Sequence, residues 1–327
     1  MRFQSRTAEI STPARLRPDR DALRVSACPA CGSRFWENCG RLPELRQTFG
    51  GLPVEVTLES GDLLHCSECD MYFREPYVSQ SVLNGLYARL PATVWACDNP
   101  RPYWPQVLEL MLRYSPNRTV MDVGCFSGSF LEWLPGSWRK LGIEPSAAAR
   151  TIARDKGFWV CGSLDELVEL SEHVGVMVLC DVLEHVVNPV AMLSILAGKL
   201  SPGGSLIVLT GATDTVPWRL FGCDYWYCSL PEHVSFLSRR WFQWAAIKLG
   251  MSIRWVRYLS SEPTSTAEWS RGLVRATAYT LARRLIRKGV SPGVVNKVPL
   301  LGRAARWTSP PWWRAAKDHV LIVLSTT

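Results

Sequence analysis

Four cysteines form two pairs whose spacing is typical of a metal site. Cys28 and Cys31 lie in the segment CPAC, Cys66 and Cys69 lie in CSEC, and 34 residues separate the two pairs. A C-x-x-C turn places two thiolates on one side of a tight loop, and two such turns complete a tetrahedral four-sulfur site for Zn²⁺. Four thiolates leave no open coordination position, so the predicted zinc is structural. The intervening segment alternates apolar residues with Gly-Gly and Ser-Gly turns, which predicts a zinc ribbon over residues 25–78.

A second stretch, VMDVGCFSGS at residues 120–129, has the spacing of a ligand-binding loop. Its β-rich start stops at Gly124, and a helix is predicted to begin after Gly128. The pattern D-x-G-x-x-x-G, which starts at Asp122, differs from the G-x-G-x-x-G of dinucleotide-binding folds. An acid in this loop would repel phosphates, but it suits a ligand that carries an ammonium group and a sulfonium. Phe126 stands where a further glycine is common, and we expect it either to wall the pocket or to pack in the core.

The elements that position these residues follow from the pattern after residue 106, where predicted strands alternate with predicted helices. Such alternation produces right-handed crossovers and a parallel sheet, whose ligands bind at the carboxyl ends of the strands. Glu144 ends the second of these strands, where a carboxylate can bind both hydroxyls of a ribose. Two later segments, MSIRWVRYLS and DHVLIVLST, are predicted to be a sixth and a seventh strand. The fold class is therefore α/β, with a Rossmann-like seven-stranded sheet.

These motifs resemble those of the class I S-adenosylmethionine methyltransferases. The resemblance extends to CDVLEHVVNP after the fourth strand and LSPGGSLIVLT leading through the fifth, so it covers residues 106–260. It implies that the glycine loop passes close to the amino-acid moiety of S-adenosylmethionine and that the acid ending the second strand binds the ribose. It also implies that a pair after the third strand meets the adenine and a pair after the fourth lines the methyl-donor side. The implied cofactor-binding residues are Asp122, Gly124, Phe126, Gly128, Glu144, Ser163, Leu164, Asp181 and Val182.

Two of the five histidines occupy positions that face the predicted cleft. His185, in DVLEH, follows the fourth strand, and His233, in LPEHVSF, lies in the loop after the fifth. A neutral imidazole can accept the proton of a weakly acidic hydroxyl near pH 7, so either histidine is a candidate catalytic base, and the alternative is a structural role. The preceding acids, Glu184 and Glu232, could orient the imidazoles, bind substrate hydroxyls or cap helices. The other three histidines, including His319, have no such predicted placement.

The aromatic segment WRLFGCDYWYCSLPEHVSF is predicted either to wall a substrate site or to form a hydrophobic lid. A C-x-x-C ribbon, a methyltransferase core and a Glu-His loop together are similar to bacterial sugar methyltransferases. Carbon-methylating members of that group carry a tyrosine two residues before the glutamate, where this chain has Leu230, and a long additional C-terminal domain that this chain lacks. We therefore expect methylation of an oxygen on a sugar or glycolipid acceptor, with carbon methylation as the alternative.

A basic insertion separates the last two predicted strands. Between residues 263 and 317 the chain has 11 Lys and Arg residues and one acid. The net charge of this segment, 11 − 1 = +10, exceeds the +8 of the whole chain. Helical periodicity places Val274, Ala278, Leu281 and Leu285 on one face. A basic amphipathic helix with tryptophans could contact a membrane surface, and the alternative is a helical cap that packs on the domain or on a second subunit.

The predicted organisation has six parts. They are a disordered basic tail at 1–24, the zinc ribbon at 25–78, a helical linker or lid at 79–118, the cofactor-binding core at 119–261, the basic insertion at 262–316 and the last core strand at 317–327.

The composition favours some cellular locations and some classes of binding partner over others. The 327 residues include no apolar run of the 18 to 20 that a membrane span needs, and the N-terminus lacks the apolar stretch of a secretory signal. Eleven cysteines without such a signal favour a reducing, cytoplasmic location, with peripheral contact at the inner membrane surface as an option. Nucleic acid is disfavoured as a partner, because the ribbon is not basic and DVLEHV replaces the motif of base-amino methyltransferases. A non-catalytic cofactor-binding protein remains the third class, and the oligomeric state is left open.

Overall fold

The computed structural model describes residues 22–23, 25–44, 48–53, 61–95, 97, 99–260 and 264–326. Almost all of the predicted basic tail lies outside this part of the chain. The strands, in chain order, are β1 Ala22–Leu23, β2 Trp36–Arg41, β3 Thr48–Phe49, β4 Leu52–Pro53, β5 Asp62–Cys66, β6 Tyr72–Glu75, β7 Tyr77–Val78, β8 Thr119–Val123, β9 Arg139–Ile143, β10 Trp159–Cys161, β11 Val174–Cys180, β12 Leu200–Gly211, β13 Ser235–Phe236, β14 Met251–Leu259 and β15 His319–Thr326. The α-helices are α1 Gln80–Tyr87, α2 Trp104–Tyr114, α3 Ser129–Trp133, α4 Ala147–Asp155, α5 Leu164–Val168, α6 Pro189–Ala197, α7 Val216–Phe221, α8 Arg239–Leu249, α9 Thr266–Arg287, α10 Pro292–Val295 and α11 Pro299–Ala305.

Seven strands form one sheet in the order β10-β9-β8-β11-β12-β15-β14. The first five run parallel, and β15 runs antiparallel to both β12 and β14. Alternate residues of β11 belong to two different apolar clusters, Met177 and Leu179 to one and Val176 and Val178 to the other, so both faces of the sheet are buried. The predicted α/β fold with a seven-stranded sheet is confirmed. The strand order reverses between β8 and β11, which is where ligands of such sheets bind.

The sequence Leu-Ser-Pro-Gly-Gly does not form the turn that Pro-Gly-Gly favours. Helix α6 ends at Ala197, and residues 200–204 belong to β12. The register passes from the pair Val174 and Leu200 directly to the pair Val176 and Ser205. The extra residues therefore form a bulge, which the positive φ of Gly203 (73°) allows. Pairing with β11 outweighs the local preference of Pro-Gly-Gly for a turn.

The N-terminal segment forms a smaller four-stranded sheet in the order β13-β6-β5-β2. Its fourth strand, β13, comes from the predicted cofactor-binding core at 119–261 and not from the ribbon. Cys66 and Phe73 of the ribbon belong to the same apolar cluster as Met121 of the large sheet and Trp241 of α8. The ribbon is therefore continuous with the main core.

The basic insertion packs on the domain through α9, whose buried face only partly overlaps the predicted apolar face. The helix begins with a capping box between Ser265 and Glu268, and its buried residues are Ala276, Ala278, Tyr279 and Ala282. Of the four residues predicted to share a face, Ala278 and Leu285 pack against the domain, whereas Val274 and Leu281 are 53% and 45% exposed. Small side chains decide the orientation because they let the helix approach its neighbours closely, as at Gly272, where a Cβ would come within 2.0 Å of Trp313.

Within the described part of the chain, no helix is long and apolar enough to cross a membrane. The outward face of α9 carries Arg271, Arg275 and Arg284 around Val274 and Leu281. Contact of this face with a membrane surface stays a prediction.

Candidate functional site

A cavity of about 1110 Å³ opens at the carboxyl ends of the five parallel strands β8, β9, β10, β11 and β12. It lies at the point where the strand order reverses, as expected for this class of sheet. Its walls include α1, the loops that follow these strands, the start of β15 and Trp312 of the insertion. The predicted cofactor-binding residues that line it are Asp122, Gly124, Phe126, Glu144, Ser163, Leu164, Asp181 and Val182.

Gly128 does not line the cavity, contrary to the prediction. It precedes α3 with a φ of 76°, and a Cβ there would lie 3.0 Å from the ring of Phe158 and 3.3 Å from Ala153. Gly128 therefore lets the start of α3 pack closely on the chain around Phe158. The absence of a side chain at residue 128 is therefore explained by packing within the protein and not by contact with a ligand.

Phe126 adopts the left-handed backbone conformation that glycine usually supplies, with a φ of 48°. Its amide donates to Oε2 of Glu144 at 2.8 Å, and its ring, which lines the cavity, lies 5.6 Å from the ring of Trp95. Both predicted alternatives hold in part, since the ring is a cavity wall and is also 92% buried by its neighbours, with 8% exposed. The hydrogen bond to Glu144 ties the loop after β8 to the end of β9.

Two of the predicted cofactor-binding residues are buried acids with raised pKa values. Burial, and then the charge of Glu144, raise the pKa of Asp122 to about 8. Burial raises the pKa of Glu144 to about 7. The amides of Ser146 and Phe126, which donate to its two oxygens at 2.6 and 2.8 Å, lower the pKa but do not cancel the effect of burial. Each oxygen keeps a second lone pair for a ligand. A cationic ligand would relieve the cost of ionising both acids, as the sequence suggested for this loop.

The two predicted catalytic histidines lie together in the cavity, with ring centroids 4.9 Å apart. Nδ1 of His233 lies 3.0 Å from the carbonyl oxygen of Tyr227, which can only accept, so Nδ1 carries the proton and Nε2 of the neutral ring is free to accept. Burial, together with the charges of His185 and Arg74, lowers the pKa of His233 well below its usual value. His233 is therefore a neutral imidazole near pH 7.

His185 has two polar neighbours on its Nδ1 side. The hydroxyl of Tyr87 lies 2.8 Å from Nδ1, and the carbonyl oxygen of Glu232 lies 3.1 Å from it. The carbonyl oxygen requires Nδ1–H as a donor, and that tautomer leaves Nε2 unprotonated, as in His233. Both rings can therefore present an accepting nitrogen.

The two glutamates that precede the histidines differ in their surroundings. Glu184 is buried, and its oxygens accept from the hydroxyls of Tyr227 at 2.6 Å and Thr210 at 2.8 Å. Oε1 of Glu232 accepts from the amide of Gly50 at 3.3 Å, whereas its buried Oε2 has no hydrogen-bond partner among the described residues. Glu232 is thus the better candidate to bind an acceptor hydroxyl, because a buried unpaired oxygen is costly. Neither acid caps a helix.

Glu184, His185 and His233 also have the geometry of a cation site, since their ligand atoms lie within 4.8 Å of one another. Both oxygens of Glu184 are already engaged in hydrogen bonds to hydroxyl groups. The donor set is therefore only partly free for a metal ion, and its histidines are available as proton acceptors.

The prediction that His319 has no placement near the cleft is wrong. His319 begins β15 and lines the cavity, with Nδ1 2.8 Å from Asp318 and Nε2 4.0 Å from Asp181. Burial opposes its protonation, but the hydrogen bond to Asp318 and the nearby acids outweigh it and raise the pKa to about 9. The signal was available, because a last strand antiparallel to its neighbour must begin at the edge where the parallel strands end.

The aromatic segment after β12 is divided between two roles. Trp226, Tyr227 and Leu230 line the cavity, as a substrate wall requires. Trp218 and Phe221 instead pack in the apolar cluster that holds α9. The predicted wall is therefore correct only for the later half of this segment.

The four cysteines of the ribbon lie together. The Sγ atoms of Cys28 and Cys69 are 3.6 Å apart, those of Cys31 and Cys66 are 3.5 Å apart, and all four lie within 4.8 Å of one another. Zn–S bonds of 2.3 Å place the sulfurs of a tetrahedral site about 3.8 Å apart, so the arrangement fits one zinc ion.

Comparison with known proteins agrees with the fold. Residues 98–254 match a family model described as a methyltransferase domain. The ubiquinone biosynthesis O-methyltransferase of Bradyrhizobium sp. (strain ORS 278) is 26% identical over 179 residues, in an alignment that covers 51% of this chain and 58% of the relative. The chain therefore spans less than two thirds of the length of that relative.

Two solved structures illustrate the structural likeness. An S-adenosylmethionine-dependent methyltransferase from Archaeoglobus fulgidus is 14% identical with a TM-score of 0.41, and the match covers 76% of this chain and 100% of that one. A second, from Mesorhizobium loti, is 15% identical with a TM-score of 0.42, covering 68% and 97%. The family match over residues 98–254 is the finding that bears on chemistry.

Proposed function

We propose that this protein transfers a methyl group from S-adenosylmethionine to a hydroxyl oxygen of a small, ring-bearing acceptor. The observation that carries the proposal is one continuous cavity with buried acids at one part and two imidazoles at another. The acids suit a cationic cofactor, and a free imidazole nitrogen suits a hydroxyl that must lose its proton.

The residues around the cavity fit the proposed cofactor. Asp122 and the backbone at Gly124 would hold its amino-acid moiety, Glu144 its ribose and Ser163-Leu164 its adenine. When bound, the cofactor supplies a methyl group on a positively charged sulfur, and the transfer leaves a neutral thioether. The task left to this chain is to hold the acceptor oxygen in line and to remove its proton.

Loss of the Glu144 carboxylate should weaken cofactor binding. In Glu144→Ala we expect a loss of about 1.5–3 kcal/mol, because two charge-assisted hydrogen bonds to the ribose disappear. Isothermal titration calorimetry measures it, with Glu169→Ala as a control that removes an exposed acid outside the cavity. Equal affinity in Glu144→Ala and the control would mean that the ribose lies elsewhere.

Cofactor affinity should also depend on pH. Ligand-free Asp122 and Glu144 have pKa values of about 8 and about 7, and a cation binds their ionised forms. Affinity should therefore rise between pH 6 and 7.5, by up to about tenfold per unit for each group that must lose a proton. Calorimetry in two buffers of different ionisation enthalpy should show proton release. The slope should be smaller in Asp122→Asn and for the demethylated cofactor, which lacks the sulfonium, and a flat wild-type profile would contradict the role of these acids.

The acceptor is proposed to be a sugar or glycolipid hydroxyl, with an aromatic hydroxyl as the second candidate. Rings of Tyr87, Trp226 and Tyr227 line the acceptor side and can stack on either ring type. The aromatic candidate has support of its own, because the curated relative is named an O-methyltransferase of ubiquinone biosynthesis. A phenolic proton, with a pKa near 10, is also easier for a low-pKa imidazole to remove than an alcohol proton.

A direct assay separates these candidates. Purified protein is incubated with S-adenosylmethionine and with matched panels of nucleotide-linked sugars, glycolipids and phenols, and formation of the demethylated cofactor is followed by mass spectrometry. Mass spectrometry of the product then distinguishes an O-methyl from a C-methyl group. Turnover of a nucleic acid in place of every small acceptor would overturn the proposal.

A further inference from the structure

The segment that carries His233 is held by the cysteine ribbon as well as by the methyltransferase core. We define the acceptor loop as residues 222–234, between α7 and β13. We propose that the ribbon positions this loop, with Arg74 as the positioning residue, so that an intact metal site sets the place of His233. The catalytic part of this inference rests on the proposed function, whereas its structural part does not.

Arg74 makes the most direct connection. It lies on β6 of the ribbon and is 3% exposed. Its guanidinium donates to three carbonyl oxygens of the acceptor loop, at 2.8 Å to Cys228, 3.2 Å to Leu230 and 3.3 Å to His233. Three bonds from one rigid, planar group fix the path of the loop on both sides of its turn. Arg74 touches neither the proposed cofactor site nor the reacting atoms, so its role is to position.

The backbone of β6 extends this connection. The amide of Arg74 donates to the carbonyl of Val234 at 3.2 Å, and the two residues of β13 pair with Phe73 and Tyr72. The residues that directly follow His233 are thus an edge strand of the ribbon's own sheet. The loop cannot move away from the ribbon without breaking this strand pairing.

The second cysteine pair forms the turn that leads into β6. β5 ends at Cys66, the amides of Cys66 and Asp70 close the turn with carbonyls of Met71 and Cys66, and β6 begins at Tyr72. A metal ion held by Cys66 and Cys69 would therefore fix the hairpin whose second strand carries Arg74. This places the predicted metal and the acceptor loop at two ends of one hairpin.

Two further contacts link the ribbon to the same region. Asp70, next to Cys69, accepts from Ser238, whose hydroxyl also caps α8 through the amide of Trp241. In addition, the amide of Gly50 in the β3–β4 hairpin donates to Glu232. The ribbon thus contacts the acceptor loop on the N-terminal side of His233, at His233 itself and on its C-terminal side. These contacts are more than a peripheral domain with no role in positioning the loop would require.

The test compares full-length variants. Arg74→Met removes the donors and keeps an apolar stem, and Arg74→Lys keeps the charge but cannot reproduce the planar fork. The control is Arg41→Met, which removes an exposed ribbon arginine that pairs with Asp62. Hydrogen–deuterium exchange is followed in peptides covering 226–236 and 119–123, and cofactor affinity and turnover are measured in parallel.

We expect exchange in 226–236 to rise about tenfold or more in Arg74→Met and less in Arg74→Lys, with no change in 119–123 or in the control. Turnover should fall about 10²-fold through kcat, since small displacements of a catalytic group have effects of that size. Cofactor affinity should stay unchanged. Removing zinc from zinc-loaded wild-type protein with a chelator should raise exchange in the same peptide.

Three results would overturn the inference. Unchanged exchange in 226–236 in both Arg74 variants would show that the loop keeps its place without Arg74, and unchanged exchange after chelation would remove the metal from the argument. A parallel rise in 119–123 would indicate general destabilisation instead of positioning. If Arg74→Met does not fold, Arg74→Lys decides. The exchange measurement needs no acceptor, so it remains decisive if the proposed reaction is wrong.

Discussion

In His233→Ala, turnover is expected to fall about 10²–10⁴-fold, the usual contribution of a general base, while cofactor affinity stays unchanged. Nδ1 of His233 is committed to the carbonyl of Tyr227, so the other ring nitrogen is the one that can accept a proton. The residue lies in the same cavity as the proposed cofactor site but belongs to a different wall from Asp122 and Glu144. Steady-state kinetics with the acceptor found by the panel assay, together with calorimetry, measure both quantities.

Comparison variants identify which imidazole acts. His185→Ala tests the second candidate, and His173→Ala removes an exposed histidine that does not line the cavity. Because burial keeps the pKa of His233 well below its usual value, the wild-type rate should not fall between pH 8 and pH 6.5 through protonation of this residue. If His185→Ala loses turnover and His233→Ala keeps it, the base is His185. Near-normal turnover in both His185→Ala and His233→Ala would mean that neither histidine is the base and that alignment of the acceptor with the cofactor accounts for the rate.

Positions that depend on the order of the strands could be predicted from the sequence. Asp122 lies near the end of β8, and Glu144, Ser163 and Asp181 follow β9, β10 and β11. The carboxyl ends of such parallel strands must meet at one edge. Gly128 was misplaced because a glycine pattern does not distinguish contact with a ligand from close packing, here against Phe158. Spacing alone places a residue in a loop, and it does not say which side of that loop it faces.

Features that depend on contacts between distant segments could not be predicted. The pairing of β13 with β6 joins residues 235–236 to residues 72–73, and no local pattern in either segment announces it. The face through which α9 packs was predicted only in part, for a related reason. Hydrophobic periodicity favours large apolar residues, whereas the helix packs through alanines against the aromatic rings of other elements. The path of the chain back from the insertion likewise brings Trp312 to the cavity.

The fold also places the ribbon, whose predicted zinc would be structural, close to the proposed reaction. Its cysteine knuckles contribute Cys28, Cys66 and Cys69 to the same apolar cluster as Leu179 of the large sheet and Trp241 of α8. Loss of the metal would therefore weaken packing well beyond the ribbon. This is why the stability of the whole chain, and not only of its N-terminal part, reports on the metal site.

In Cys69→Ser, zinc binding is expected to be lost and the protein to become much less stable. Purified wild type should contain about one zinc per chain by elemental analysis, because four thiolates complete one tetrahedral site. Metal binding of this kind couples directly to folding and is worth roughly 10–16 kcal/mol in isolated zinc-finger peptides. Even a third of that would lower the midpoint of thermal unfolding by about 5–8 °C, because 1 kcal/mol shifts the midpoint of a chain of this size by roughly 1.5 °C.

Cys39→Ser is the matched control, because Cys39 lies in the same ribbon but is exposed and outside the four-sulfur cluster. It should keep both the zinc and the wild-type midpoint, so that a loss confined to Cys69→Ser is assigned to metal ligation and not to the loss of any thiol. A wild-type protein without zinc under reducing conditions, or a Cys69→Ser protein that keeps a full equivalent, would remove the metal site. Loss of zinc with an unchanged midpoint would confirm that Cys69 is a zinc ligand. It would also show that the metal does not stabilise the main core, contrary to the shared packing of Cys66, Phe73 and Trp241.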